Sequence, residues 1–362
     1  MASLHRLFSQ NLLNLINLGK EETEEDGFYN GYFVTQHDLL RELTILQSSS
    51  ESVVGRRRLF ADIRQNKFPQ WWLGQKQPIS ARLFSVFTDE VFLSRWHNIQ
   101  LPEAEALILN FQSKNYKLPE FMEKMDKLKV LVVTSYGFFP SEVSNFSHVS
   151  SLSNLKRIRL EKISIPSLSM NDQQLKNLQK ISFVMCDINE AFQNCPINIS
   201  DAFPNLVEID IESCNDMKEF PDGFCDIIQL RKLSITNCHK LSTLPVRIGN
   251  LVNLETLRLS YCIDLLELPS TIGRLVKLRH LNISDCVSIN ELPTQIGELH
   301  SLRRLFMKDC YIDLLVSFMA DLFGGAAVGA VFGEALTAIL EEANSASKFK
   351  STFSALSPRP GQ

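Results

Sequence analysis

An α/β solenoid of short parallel strands is the fold this sequence predicts, on three observations. Leucines recur every 24 positions at Leu206, Leu230, Leu254, Leu278 and Leu302. Five of the eight cysteines, Cys214, Cys238, Cys262, Cys286 and Cys310, keep the same interval. Each unit also carries a period-two stretch such as Leu233-Ser234-Ile235-Thr236, the mark of a strand with one buried face. A chain of 362 residues exceeds one ordinary compact domain. A fold that grows by stacking similar units accommodates both that length and that regularity.

The full unit reads Leu230-x-x-Leu233-x-Ile235-x-x-Cys238, and it returns as Leu254, Leu257, Leu259, Cys262 and as Leu278, Leu281, Ile283, Cys286. Further along each unit stands Phe220-Pro221, Leu244-Pro245, Leu268-Pro269 or Leu292-Pro293, followed in three of them by Ile248-Gly249, Ile272-Gly273 or Ile296-Gly297. These are leucine-rich repeats. One strand cannot bury its apolar row alone, so the repeats stack, their strands pair in parallel, and the longer outer arm makes the strand face concave. Upstream the register loosens but persists, with strand cores at Leu107/Leu109, Leu131/Val133, Ile158/Leu160, Ile181/Phe183 and Ile209/Ile211. About nine repeats result, with an inner face on the order of 40 Å at about 4.8 Å per strand, a size suited to a protein partner.

The repeated cysteines occupy the position where such repeats bond turning backbone inside the stack. A column of identical neighbours is not a ligand set, so Cys214, Cys238, Cys262, Cys286 and Cys310 are expected to be structural, and no metal is expected. No CxxC pair occurs, and Ser, Gln and Asn interrupt the apolar run of the first fifteen residues, so no secretory signal is read. Those features predict a reducing, cytoplasmic setting. A hydrophobic fraction of 44% and a charged fraction of 22% argue against disorder. The net charge of −4 supplies no global field for nucleic acid, so no nucleic-acid partner is expected.

Side chains between the leucines point into the concave face, and their charge is banded. Lys156, Arg157 and Arg159 come first, with Lys162; Glu208, Asp210 and Glu212 follow; Arg258, Arg279, Arg303 and Lys308 lie at the far end, with Arg304. Two readings stay open: ordinary solvated charge, or a patterned face that steers a complementary protein.

Residues 1–75 do not repeat. An apolar helix pattern through Leu7, Leu12, Leu15 and Leu18 leads to an acidic turn from Glu21 to Gly27, then to a short hairpin closed at Asn30-Gly31. Thr35 and Asp38 are placed as a helix start. Helix, hairpin and helix predict a small winged-helix domain over 1–75. Residues 76–103 are then a linker and solenoid cap, 104–313 the leucine-rich repeats, and 314–362 a helical tail. In that tail Gly325, Gly329 and Gly333 fall on one helical face, a pattern that permits close helix packing, while Asp321 and Glu334 make a spontaneous membrane span costly.

The stretch from Phe33 to Leu43 (FVTQHDLLREL) resembles the winged-helix end of the nucleotide-binding module of plant intracellular immune receptors, the NLRs. Gln36 before His37-Asp38 resembles the helper subclass, whose N-terminal domain is of the powdery-mildew-resistance type. The stretches from Leu118 to Phe146 and from Ser151 to Leu168 resemble the leucine-rich region of that subclass, and the tail from Asp321 resembles the start of the powdery-mildew-resistance-type domain. The resemblance implies a plant defence-response signalling protein. It further implies that His37 would contact a nucleotide phosphate and Asp38 would support the switch. ADP or ATP is the cofactor of the parent family, but no GxxxxGK[ST] phosphate loop occurs in this chain, so no cofactor is expected and His37 and Asp38 are read as local packing residues. Implied partners are lipase-like immune signalling heterodimers or full-length NLRs, with peripheral plasma-membrane contact through the tail; the resemblance adds the nucleus and the plasma-membrane periphery to the cytoplasmic setting.

His239, His280 and His300 fall at different repeat positions, so neither triad nor metal chemistry is indicated and the chain is not read as an enzyme. The leading expectation is a protein-binding module in defence signalling. A membrane-acting cell-death executor working through the tail and a leucine-rich adaptor unrelated to immunity stand as alternatives.

Overall fold

The computed structural model describes residues 13–17, 32–36, 52–167, 174–193 and 198–310, the first two stretches by backbone pairing alone. β1 (Leu13–Asn17) and β2 (Tyr32–Gln36) are antiparallel, with Leu13 opposite Gln36 and Asn17 opposite Tyr32. Over Leu13–Asn17 the expected helix is therefore a strand, paired with Tyr32–Gln36; Leu7, Leu12 and Leu18 and the expected closure at Asn30-Gly31 lie outside the described residues. A short apolar run satisfies both periodicities, and Tyr32, Phe33, Val34 and Thr35 are strong strand formers that supply a partner. Thr35, expected at a helix start, lies inside β2; Asp38 and the remainder of the winged-helix expectation fall outside the described residues.

The solenoid begins earlier than its leucine framework suggests. Its strands are β3 (Arg58–Ile63), β4 (Leu83–Thr88), β5 (Ala106–Phe111), β6 (Asn115–Tyr116), β7 (Val130–Ser135), β8 (Ser141–Val143), β9 (Arg157–Glu161), β10 (Ile163–Ser164), β11 (Lys180–Val184), β12 (Glu208–Glu212), β13 (Lys232–Thr236), β14 (Thr256–Arg258), β15 (His280–Asn282) and β16 (Arg304–Phe306). Eleven of them form one parallel sheet in the order β3-β4-β5-β7-β9-β11-β12-β13-β14-β15-β16. β6, β8 and β10 form a second, three-stranded sheet where the main strands exit. Two strands of the main sheet precede the nine expected, so residues from Arg58 onward belong to the solenoid and not to a winged-helix end or linker. Ala61, Phe84 and Val86 stand where the regular repeats of β12 to β15 have leucine or isoleucine, which hid the period, yet they bury the same face completely or nearly so.

Each strand leads into an outer arm. Pro119, Pro221, Pro245, Pro269 and Pro293 precede 3₁₀ turns at Glu120–Lys124, Asp222–Asp226, Val246–Asn250, Ser270–Arg274 and Thr294–Glu298. Proline fixes φ and gives up an amide that the first turn does not need. Each turn then drops a Phe, Met or Ile into the core, as Phe224, Ile248, Ile272 and Ile296 show. Leu206, Leu230, Leu254 and Leu278 are all fully buried, so the 24-residue period is a period of packing.

Aromatic packing replaces leucine at the N-terminal end. Trp72, on the short helix α1 (Gln70–Leu73), lies edge-on to Phe68, Phe84 and Phe121, and Phe111 stacks on Tyr116 with centroids 3.7 Å apart. The tail with Gly325, Gly329 and Gly333 lies outside the described residues.

Candidate functional site

The strand face presents three columns of side chains, set by register. The middle column runs Phe60, Ser85, Ile108, Val132, Arg159, Ser182, Asp210, Ser234, Arg258, Asn282 and Phe306. By register Arg157, Arg159, Glu208, Asp210, Glu212 and Arg258 occupy outward positions of their strands. Glu208 is not a free charge: Lys180 Nζ lies 2.6 Å from its Oε1, and Lys232 is its register neighbour on the other side. Arg159 reaches Glu161 at 3.1 Å. Asp210 is only 2% exposed, so the acidic band reaches solvent through Glu208 and Glu212.

Lys156, Arg279 and Arg303 sit elsewhere. Each precedes its strand, at the lip where the backbone enters the sheet; the Arg279 amide donates to the Glu255 carbonyl and the Arg303 amide to the Arg279 carbonyl, both at 2.8 Å. That lip carries its own ladder of charge. Glu105 accepts from Arg82 and Lys129, and Glu255 lies between Arg231 at 3.8 Å and Arg279 at 3.6 Å. The Lys129 ammonium first, then the Arg82 guanidinium, hold the Glu105 carboxyl below the usual carboxylate range. Counting outward from the leucines without the strand boundary merged lip and face. Lys308 follows β16 and is exposed.

The cysteine column is a hydrogen-bond column. Cys262 Sγ donates to Ile235 O at 3.5 Å, Cys286 Sγ to Leu259 O at 2.7 Å and Cys310 Sγ to Ile283 O at 3.0 Å, each reaching into the preceding repeat. Cys214 Sγ makes the equivalent bond to Phe183 O at 3.8 Å, and Cys238 Sγ donates to Thr236 O of its own strand at 3.5 Å. Cys186, 28 residues before Cys214 and so outside the regular interval, joins the column through Leu160 O at 3.4 Å. Burial pushes the Cys238 and Cys286 thiols up to about 12 and Cys310 to about 11, and burial also raises Cys262. For Cys214, which is also raised, the side-chain hydrogen bond with the Cys186 thiol is the leading cause, with burial next. Protonated thiols of that kind are poor nucleophiles and poor ligands, and among the described residues no group of three His, Cys, Asp or Glu is placed to hold a metal ion.

One region of the face was not legible as functional. From β3 to β7 the outward positions are mostly apolar, with Arg58, Asp62, Ser85, Asn110 and Thr134 among them, and the chain beyond β7 exposes Tyr136, Phe138 and Phe139. The signal was present in Leu107-Ile108-Leu109 and Val130-Leu131-Val132-Val133, where both parities are apolar. Continuous apolar strands are also what a doubly buried sheet shows, so the pattern alone points to core. His37, Asp38, Gly325, Gly329 and Gly333 lie outside the described residues. No helix among the described residues is long and apolar enough to cross a membrane.

The leucine-rich repeat region family matches residues 191–322. Two probable disease resistance proteins of Arabidopsis thaliana are 48% identical over 234 residues and 49% identical over 231, each alignment covering 64% of this chain and 28% of the relative. The chain is a leucine-rich repeat solenoid similar in sequence to plant disease resistance proteins. Disease resistance protein ADR1 of the same plant is 37% identical over 230 residues, covering 63% of this chain and 29% of ADR1. This chain therefore spans less than a third of each of these three relatives. Among solved structures, the leucine-rich repeat domain of the type III effector XopL aligns at 20% identity and a TM-score of 0.48, over 75% of this chain and 81% of that one.

Proposed function

We propose that this chain is a plant defence-signalling protein whose solenoid docks a protein partner, and that it corresponds to the leucine-rich half of a helper-type NLR. One observation carries the binding role: eleven strands in register present a continuous face about 48 Å across at about 4.8 Å per strand, polar and charged from β9 onward, with the core sealed beneath it. Similarity to disease resistance proteins supplies the defence context. The proposed partners are lipase-like immune signalling heterodimers or full-length receptors, drawn in by the banded charge of β9 to β16.

Co-precipitation of the full chain with purified heterodimers tests this directly. Saturable binding that falls at least tenfold in Glu208→Lys/Glu212→Lys is the expected result. Those two acids are chosen because the burial of Asp210 makes its reversal a folding mutation. Absence of binding by a folded, monodisperse chain would remove the proposal that this segment recognises such partners by itself.

A further inference from the structure

The strand face is divided by chemistry. From β3 to β7 its outward positions carry Phe60, Leu83, Phe87, Ile108, Val130 and Val132, interspersed with Asp62, Ser85, Asn110 and Thr134, a larger apolar share than a solvated sheet face ordinarily shows. Phe60 is 42% exposed and the other apolar residues among them are half-buried. Immediately after β7, Phe138 is 99% exposed and Phe139 79%. The Tyr136 ring lies 6.3 Å from Phe87, which joins that loop to the strand face, and Lys162 Nζ reaches the Gly137 carbonyl at 3.5 Å. An exposed surface this rich in apolar side chains marks a place that another apolar surface covers.

Charge says what that surface must carry. Cations border the apolar region on both sides, Arg58 with Arg64 at the β3 end and Arg157 with Arg159 on β9. Two acids on the bordering strands are already matched: Asp62 pairs with Arg64 at 3.0 Å and Glu161 with Arg159 at 3.1 Å. Arg58 and Arg157 make no ion pair among the described residues. An occupant with basic flanks would be repelled at both borders, and one with acidic flanks would be drawn to them.

We propose that the β3 to β7 face, rimmed by Phe138 and Phe139, docks a protein segment with aromatic or aliphatic anchors flanked by acidic residues. The inference rests on the proposed role as a protein-binding module, and it names the site and the partner's chemistry. Apolar anchors would seat against Ile108, Val132 and Phe87, with Phe138 and Phe139 closing over them, while Arg58 and Arg157 receive the acidic ends.

The test is selection of a random 16-residue peptide library displayed on phage against the purified full chain, followed by anisotropy titration of the enriched peptides. Two variants accompany it, Phe138→Ser/Phe139→Ser and Arg157→Glu/Arg159→Glu; both phenylalanines are solvent-exposed, and circular dichroism checks that the fold is retained. Enrichment of apolar peptides with Asp or Glu flanks, whose affinity drops at least tenfold in each variant, is the expected result. Enrichment of peptides with basic or neutral flanks, binding unchanged by the variants, or no enrichment above an unrelated protein would each overturn the proposal. A dimer that Phe138→Ser/Phe139→Ser disperses in light scattering would overturn it in favour of a second copy of the chain. Heterodimer binding that survives both variants would leave the proposed function standing and remove only this site.

Discussion

The Tyr261 amide donates to the Ser284 carbonyl at 3.0 Å while Tyr261 itself holds a φ of 60°. A bulky side chain in the left-handed region is uncommon and costs on the order of 1 kcal/mol. Here the conformation recurs at the strand exits of successive repeats, at Lys162, Met185, Ser213, Asn237, Tyr261, Asp285 and Asp309. Lys162, Met185, Ser213, Asn237 and Asp285 also pass their amide to the next repeat, to the Val184, Glu212, Thr236, Ser260 and Lys308 carbonyls in turn, at 2.8 to 3.1 Å. The turn spends local strain to carry the ladder one bond beyond the strand and to bring the cysteine that follows under the sheet.

Asn237 is the cleanest place to measure that strain. Asn237→Val should destabilise the solenoid by about 1–2 kcal/mol, because a β-branched side chain resists positive φ, while Asn237→Gly should stay within about 0.5 kcal/mol of the parent. Urea unfolding midpoints compare the two, and equal losses would mean that the left-handed turn is not what Asn237 supplies.

The outer turns depend on glycine for a different reason. A Cβ on Gly273 would stand 2.7 Å from the Gln295 carbonyl oxygen and 2.8 Å from a Glu298 carboxylate oxygen, both in the next repeat. Gly273→Ala should therefore push adjacent turns apart and cost about 1–3 kcal/mol. Thermal unfolding reads it; an unchanged Tm would show that the neighbouring turn gives way freely.

Thiol chemistry supplies a pH test with a definite sign. Burial holds Cys225, Cys238 and Cys286 up to about 12, whereas in the unfolded chain they ionise in the ordinary thiol range near about 8.5. A raised folded-state pKa contributes stability that is fully present below the unfolded value and is lost as pH climbs towards the folded one. The urea midpoint should fall steadily between about pH 9 and about pH 12. At pH 8 a thiol reagent should leave these three unlabelled until denaturant is added; rapid labelling of the native protein would refute their burial.

Glu105 predicts the opposite limb. Its depressed folded-state pKa contributes stability above the unfolded carboxylate value and loses it as pH falls through the folded one. Glu105→Gln should be less stable than the parent at pH 6 and low salt, and the difference should vanish at pH 3 and shrink in high salt, since the lip is open to solvent. A difference that persists at pH 3 would mean that shape, not charge, sets the effect.

Much of this was legible in the linear chain. Leu230, Leu233 and Ile235 declare their strand through spacing alone, and Pro245 with Ile248-Gly249 declares the arm that returns from it, because every repeat meets the same neighbours. The regularity conceals as well as reveals. β3 and β4 use Ala61, Phe84 and Val86 in leucine's place, and Cys186 stands 28 residues from the next member of its column, so a search at fixed period passes over them.

The sequence by itself determined that this chain stacks, which faces its leucines bury and where the turns fall, since those follow from contacts between residues a fixed distance apart. Only the tertiary structure decided which charges share a surface. Lys180 and Glu208 are 28 residues apart in the chain and 2.6 Å apart in space, while Lys156 and Arg157 are neighbours in the chain and divide between lip and face. The apolar-rich end of the face was likewise decided in three dimensions, because a strand apolar on both sides shows its outward row to solvent only if nothing packs above it, and hydrophobicity alone carries no record of what lies on the other side of a sheet.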